Sequence, residues 1–234
     1  MPEESLPLTH VSRPPEAGDG PAPAVVVLHG RGTNERDLLP LADELPDELH
    51  VLSVRAPDRL QGVSSSDARR GSERSERSGG YTWYDLDLSE GGLHASQPDP
   101  EGFKRSLRLV HEFVDAAVDE YGLDADRVGL LGFSQGAITS LSALIERSDA
   151  YDWTVALNGY LAAAHEGDAD AAAGKPVFLG AGQMDQVIPV ERAERAADLL
   201  DEADVDVTFQ KYPVGHGTTP QEVRDAAEWA EQRL

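Results

Sequence analysis

Val128-Gly129-Leu130-Leu131-Gly132-Phe133-Ser134-Gln135-Gly136-Ala137-Ile138-Thr139-Ser140 reads as strand, sharp turn and helix, with a serine at the apex and a glycine two residues to either side. An apolar run feeds the turn and small residues start the helix. In a Gly-x-Ser-x-Gly turn of this kind the serine takes a strained backbone conformation that lifts its hydroxyl above the sheet edge. Side chains at the two glycine positions would collide with the neighbouring strand and helix. In a chain with 22 glycines the pentapeptide alone would be weak evidence; the strand before it and the helix after it supply the context the motif needs.

Outward from this turn, strands and helices alternate. Ala24-Val25-Val26-Val27-Leu28 is a β-branched run of the type buried on both faces of a parallel sheet. A short helix is expected from Asn34 and Asp37 through Leu38, Leu39 and Leu45, and a strand at Val51–Val54. Phe103, Leu107, Val110, Val114, Val118 and Tyr121 fall at three- and four-residue steps, which predicts a long helix opened by Pro98–Pro100 and closed by Gly122. Further strands are expected at Trp153–Leu157, Pro176–Leu179 and Val205–Tyr212. Helices are expected around Leu141 to Ile145, around Val190 to Leu200, and after the capping box Thr219-Pro220-Gln221-Glu222. The Ala/Asp-rich stretch before Pro176 reads as a loop. The pattern predicts an α/β fold with a mostly parallel central sheet and helices on both faces. One domain is expected over 1–234, with 1–23 as an N-terminal edge segment and 62–80 as a polar loop insertion, solvated rather than a lid.

Composition narrows the function classes. The formal net charge is −23, from 43 acidic and 20 basic residues, and the lysines are only Lys104, Lys175 and Lys211. Such a surface repels nucleic acid and anionic membranes, and it suits a protein kept soluble in concentrated salt, where screening suppresses self-repulsion. Cysteine is absent, which excludes disulfides, thiolate metal sites and a cysteine nucleophile. Met1-Pro2-Glu3-Glu4-Ser5 has no leader-like character and no run approaches a membrane span, so no stable membrane insertion is expected and the location is read as cytoplasmic. No metal and no cofactor are expected, since His94, His111 and the carboxylates lack ligand spacing.

Four stretches lie just past strand ends and should open on one sheet edge: His29-Gly30-Arg31-Gly32, the Ser134 turn, Gly182-Gln183-Met184-Asp185 and Gly215-His216-Gly217. A serine hydroxyl needs a base, and imidazole has the pKa for that work. A carboxylate behind the imidazole fixes its tautomer. In this kind of fold the order is serine, acid, histidine. Only His165 and His216 follow Ser134. His165 lies in an alanine-rich loop and reads as a surface histidine, which leaves His216. Among the acids between them, Asp185 alone follows a strand and a glycine turn; Glu146, Asp149, Asp152, Glu166, Asp168 and Asp170 lie in helix ends or loops. The oxyanion of an acyl-transfer reaction needs preorganised donors, and the amides of Gln135 and Arg31 are the candidates. The Arg31 side chain could in addition favour anionic substrates. Trp83 and Tyr84 are candidates for the wall of a substrate pocket.

With these residues in hand the chain resembles the phospholipase/carboxylesterase family of α/β-hydrolases, which includes small carboxylesterases and acyl-protein thioesterases. The resemblance runs from about Ala24 onward and rests on Leu28-His29-Gly30-Arg31-Gly32, Trp83-Tyr84-Asp85-Leu86, Leu131-Gly132-Phe133-Ser134-Gln135-Gly136, Asp185-Gln186-Val187-Ile188-Pro189 and Tyr212-Pro213-Val214-Gly215-His216. It implies a compact α/β-hydrolase without a large cap domain, a metal-independent Ser-Asp-His triad, and short-chain esters, lysophospholipids or acyl thioesters as substrates. Two departures stand out: Gly180-Ala181-Gly182 replaces the His-Gly that often ends the strand before the acid, and the polar stretch Ser64–Gly79 is long. The expectation is a serine hydrolase that cleaves carboxylic esters through an acyl-enzyme, with a small-molecule ester or thioester as partner. Thioesterase action uses the same machinery. A non-catalytic binding protein on the same fold is the alternative of another class. An apolar acyl entrance could also support a homodimer.

Overall fold

The computed structural model describes residues 6–16, 20–60, 80–87, 89 and 95–234. Nearly all of the polar insertion at 62–80 lies outside the described residues, as do Met1–Ser5 and His94.

The sheet is built from β1 (His10–Arg13), β2 (Ala22–Leu28), β3 (His50–Val54), β8 (Leu123–Phe133), β9 (Trp153–Leu157), β10 (Pro176–Gly182) and β11 (Asp206–Tyr212). Four two-residue strands, β4 (Asp58–Arg59), β5 (Tyr81–Thr82), β6 (Leu86–Asp87) and β7 (Gln97–Pro98), pair as two small ribbons outside it. The seven long strands run in the order β1-β3-β2-β8-β9-β10-β11. All neighbours are parallel except β1, which closes one edge antiparallel to β3. The elbow strand starts at Leu123, five residues before the apolar run, because its polar first half already pairs with Ala22 before the register shift near Ala24.

The helices are α1 (Leu39–Ala42), α2 (Pro100–Tyr121), α3 (Gln135–Glu146), α4 (Val190–Glu202) and α5 (Pro220–Glu231). α1 is shorter than the expected Asn34–Leu45 helix, since Asn34 to Leu38 form turns and Pro40 sits in its first turn. The long helix ends as its glycine implies, with Gly122 at φ 63°, and α5 opens with the full Thr219/Glu222 capping box. The Ala/Asp-rich stretch is wound into 3-10 turns over Ala163–Ala172.

Period-two alternation on β2 divides the core. Val26 and Leu28 join Leu107 and Val110 of α2, Leu141 of α3 and Leu200 of α4 in one buried cluster. Val25 and Val27 join Leu41 of α1 and Ala226 and Trp229 of α5 in the other. Both faces of the sheet are therefore covered, as a parallel sheet requires. Among the described residues no helix is long and apolar enough to cross a membrane.

Candidate active site

Ser134 sits between β8 and α3 at φ 54° and ψ −117°, a conformation that L-residues rarely adopt. Backbone bonds hold it there: its N–H donates to the Leu157 carbonyl at 2.9 Å, and its carbonyl accepts from Ile138 at 3.1 Å. The glycines on either side admit no Cβ. One at Gly132 would come within 2.3 Å of the Gly136 backbone, and one at Gly136 within 1.9 Å of the Leu28 carbonyl oxygen. β2, β8 and α3 thus meet backbone to backbone at the turn, which is why the sequence has glycine at both positions.

His216, from the loop after β11, places Nε2 2.9 Å from Ser134 Oγ. Its Nδ1 lies 2.6 Å from Asp185 Oδ2. Asp185 Oδ1 accepts from the backbone N–H groups of Val187 at 2.7 Å and Ile188 at 2.9 Å, so both carboxylate oxygens are engaged and the side chain is buried. The Phe133 ring packs against the imidazole at 5.2 Å. The structure therefore brings together the serine, the histidine and the acid singled out from three separate stretches of sequence.

The loop after β2 stands beside them. Gly32 donates to the Tyr81 carbonyl at 2.7 Å and Thr33 pairs with Tyr81, which fixes the path of Arg31. His29 braces the base of this loop, its Nε2 accepting from the Ala56 amide at 3.0 Å. Burial lowers the pKa of this imidazole and keeps it neutral. Gln135 is the first residue of α3, so its N–H is one of the amides a helix start leaves without an intrahelical partner. Its side chain is clamped, Oε1 accepting from Trp83 N–H at 3.2 Å and Nε2 donating to the Tyr84 carbonyl at 2.8 Å.

Trp83 and Tyr84, expected in the pocket wall, lie elsewhere. Both side chains are fully buried and neither lines the pocket at Ser134. Trp83 Nε1 donates to the His29 carbonyl at 2.8 Å, so the pair holds the elbow and the His29 loop in place from behind. The pocket, about 260 Å³, is walled by Leu86, Ile138, Tyr160, Val187 and Ile188, with Arg31, Ser134, Gln135 and His216 at its polar end. Arg192 lies over the Tyr160 ring at 3.2 Å. Among the described arginines, Arg31 alone makes no hydrogen bond, ion pair or ring contact. His165 is buried rather than on the surface: its Nε2 lies 3.3 Å from Glu146 and its ring meets Phe103, with no contact to Ser134.

Two residues behind the site have roles the sequence does not announce: Asn158, and Glu222 beyond its part in the helix cap. Asn158, buried at the end of β9, bonds to both the Gly182 amide and the Gly217 carbonyl. Glu222 is fully buried beneath β10, and its Oε1 has no hydrogen-bond partner. Burial raises its pKa to about 7, with nearby Asp225 adding and the Thr219 amide opposing. Its Oε1 also explains the glycine at 180, since a Cβ there would come within 2.5 Å of it. Among the described residues no group of three or more His, Asp or Glu side chains could hold a metal ion.

A mostly parallel sheet with a serine lifted on a strand-to-helix turn and a His–Asp pair delivered by the following strands defines an α/β-hydrolase. Residues 15–233 match the phospholipase/carboxylesterase family, and the chain belongs to it. It is 26% identical to the putative hydrolase MhqD of Bacillus subtilis (strain 168), over 90% of this chain and 93% of that one. It is likewise 26% identical to acyl-protein thioesterase 1 of Cryptococcus neoformans var. neoformans serotype D (strain JEC21), over 90% and 92%. Among solved structures it is similar to the Bacillus cereus carboxylesterase, with a TM-score of 0.73 and 27% identity over 97% of this chain and 95% of that one.

Proposed function

We propose that this protein is a serine hydrolase that cleaves carboxylic esters through an acyl-enzyme. The observation that carries the proposal is the unbroken relay from Ser134 Oγ to His216 Nε2 at 2.9 Å and from His216 Nδ1 to Asp185 at 2.6 Å. Ser134 Oγ attacks the carbonyl carbon while its proton passes to His216 Nε2. Asp185, held by two amides, keeps the proton on Nδ1 and stabilises the imidazolium. The amides of Arg31 and Gln135 receive the oxyanion; losing one such donor typically costs about a hundred- to a thousandfold in rate. Collapse of the tetrahedral intermediate expels the alcohol, which takes the proton from His216. Water, deprotonated by the same imidazole, then releases the carboxylic acid and restores Ser134.

The apolar wall of Leu86, Ile138, Val187 and Ile188 suits an acyl group of modest length. Acyl thioesters fit the same machinery, and the relatives named as acyl-protein thioesterases favour keeping this second reading. The chain is read as one hydrolase unit working in the cytoplasm, without metal or cofactor; dimerisation through the apolar entrance is part of the proposal for the oligomeric state.

The test is hydrolysis of p-nitrophenyl acetate, butyrate and octanoate in high salt by wild type and Ser134→Ala, with fluorophosphonate labelling in parallel. Turnover should fall by about a millionfold in the variant, effectively to background, and labelling should vanish. A folded wild type that neither turns over nor labels would favour the binding-protein alternative.

A further inference from the structure

We infer that Asn158 is a positioning residue for the His216–Asp185 pair, an inference that rests on the triad reading. Asn158 follows β9 directly, and β9 lies between the strand that ends at Ser134 and the strand that ends at Gly182. It takes φ 51°, in the left-handed region, and is 1% exposed. Asparagine tolerates that conformation better than most residues, but glycine would adopt it freely. The side chain is what glycine could not supply. Oδ1 accepts from the Gly182 N–H at 2.8 Å and Nδ2 donates to the Gly217 carbonyl at 2.8 Å, while the Asn158 N–H donates to the Gly180 carbonyl at 2.7 Å.

Those partners border the acid and the histidine. Gly182 opens the loop of Asp185, whose own N–H returns to the Gly182 carbonyl. Gly217 is the residue after His216. On the other side of the histidine, Met184 N–H donates to the Val214 carbonyl at 3.0 Å, so the acid loop and the histidine loop are already joined upstream. Downstream, Asn158 supplies the corresponding tie. Without it His216 would hang between two glycines from one side only. A shift of about 1 Å at a catalytic group can cost about a hundredfold in rate, and the buried Gly182 N–H and the half-buried Gly217 carbonyl would lose their partner.

The experiment uses Asn158→Gly, which relieves the positive φ and removes both side-chain bonds, and Asn158→Asp, which keeps the shape and the Gly182 bond but sets an acceptor against the Gly217 carbonyl. Both should lower kcat by about 10- to 100-fold with KM within about twofold, in protein with a wild-type circular dichroism spectrum. The downfield proton resonance of the His216–Asp185 bond should broaden or disappear. If Asn158→Gly does not fold, Asn158→Asp decides alone. Wild-type kcat in either folded variant, or an unchanged proton resonance, overturns the inference. The resonance requires no substrate, so it still decides if wild type turns over no ester, an outcome that counts against the ester-hydrolase reading alone.

Discussion

Ser134 and His216 stand 2.9 Å apart, yet they are supported in different ways. The serine's turn is fixed by its own backbone hydrogen bonds and, above all, by exclusion: backbone of β2 and α3 comes so close that its flanking glycines have no room for a methyl group. The histidine is held by hydrogen bonds. Its flanking glycines border open space, with nothing within 4 Å of a Cβ at Gly217 and only the Met184 carbonyl, at 3.7 Å, near one at Gly215. Steric support is insensitive to pH and salt but intolerant of substitution. Polar support tolerates added bulk and depends on the charge state of what lies beneath it.

That contrast can be broken most sharply at Gly136. Replacing it with alanine puts a methyl group 1.9 Å from the Leu28 carbonyl oxygen, backbone that no rotamer can move. Gly136→Ala should lose more than about 4 kcal/mol or fail to fold; a variant whose denaturant midpoint matches wild type would remove the steric half of the comparison. A smaller effect is expected from Glu222, buried under the histidine loop. Its folded pKa of about 7 lies above the ordinary 4.5. Below pH 4.5 the group is protonated in both states and costs nothing. Between 4.5 and about 7 the unfolded chain ionises while the folded one does not, so stability falls as pH rises, by roughly 3 kcal/mol in all. Denaturant titrations of wild type and Glu222→Gln from pH 4 to 8 should diverge across that window, the variant gaining relative stability. Parallel curves would mean that the carboxyl is not held neutral. The smallest effect belongs to Gly217→Ala, which should change stability by less than about 0.5 kcal/mol. A loss on the Gly136 scale, read from the same titrations, would erase the distinction.

The same division decided what could be read in the sequence. Steric support is written in residue identity: glycine at 132 and 136 around a serine, after an apolar run and before small residues, fits few local structures besides this turn. Strand-end position then separated Asp185 and His216 from their competitors. The cap at Thr219 and Glu222 was equally local and equally legible. Polar support depends on partners distant in the chain. Asn158 looks like any asparagine after a strand until Gly182 and Gly217 are brought to it. Trp83 and Tyr84 announced an aromatic cluster near the site, but the side of the elbow on which the rings lie depends on where β5 docks. His165 was misjudged for a related reason: its alanine-rich stretch is packed against α3 and faces Phe103 of α2. The polar half of β8 could not be placed because its pairing with Ala22 leaves no trace in local hydropathy.

The loop that carries Asp185 alternates between hidden and displayed side chains: Asp185 and Ile188 are buried, whereas Met184 is 60% and Val187 41% exposed. For an engineer this is a loop already partitioned into chassis and interchangeable parts. Val187 faces the pocket while its amide serves the carboxylate through the backbone, so side chains other than proline at 187 would vary the wall of the pocket and leave that amide's bond to the acid in place.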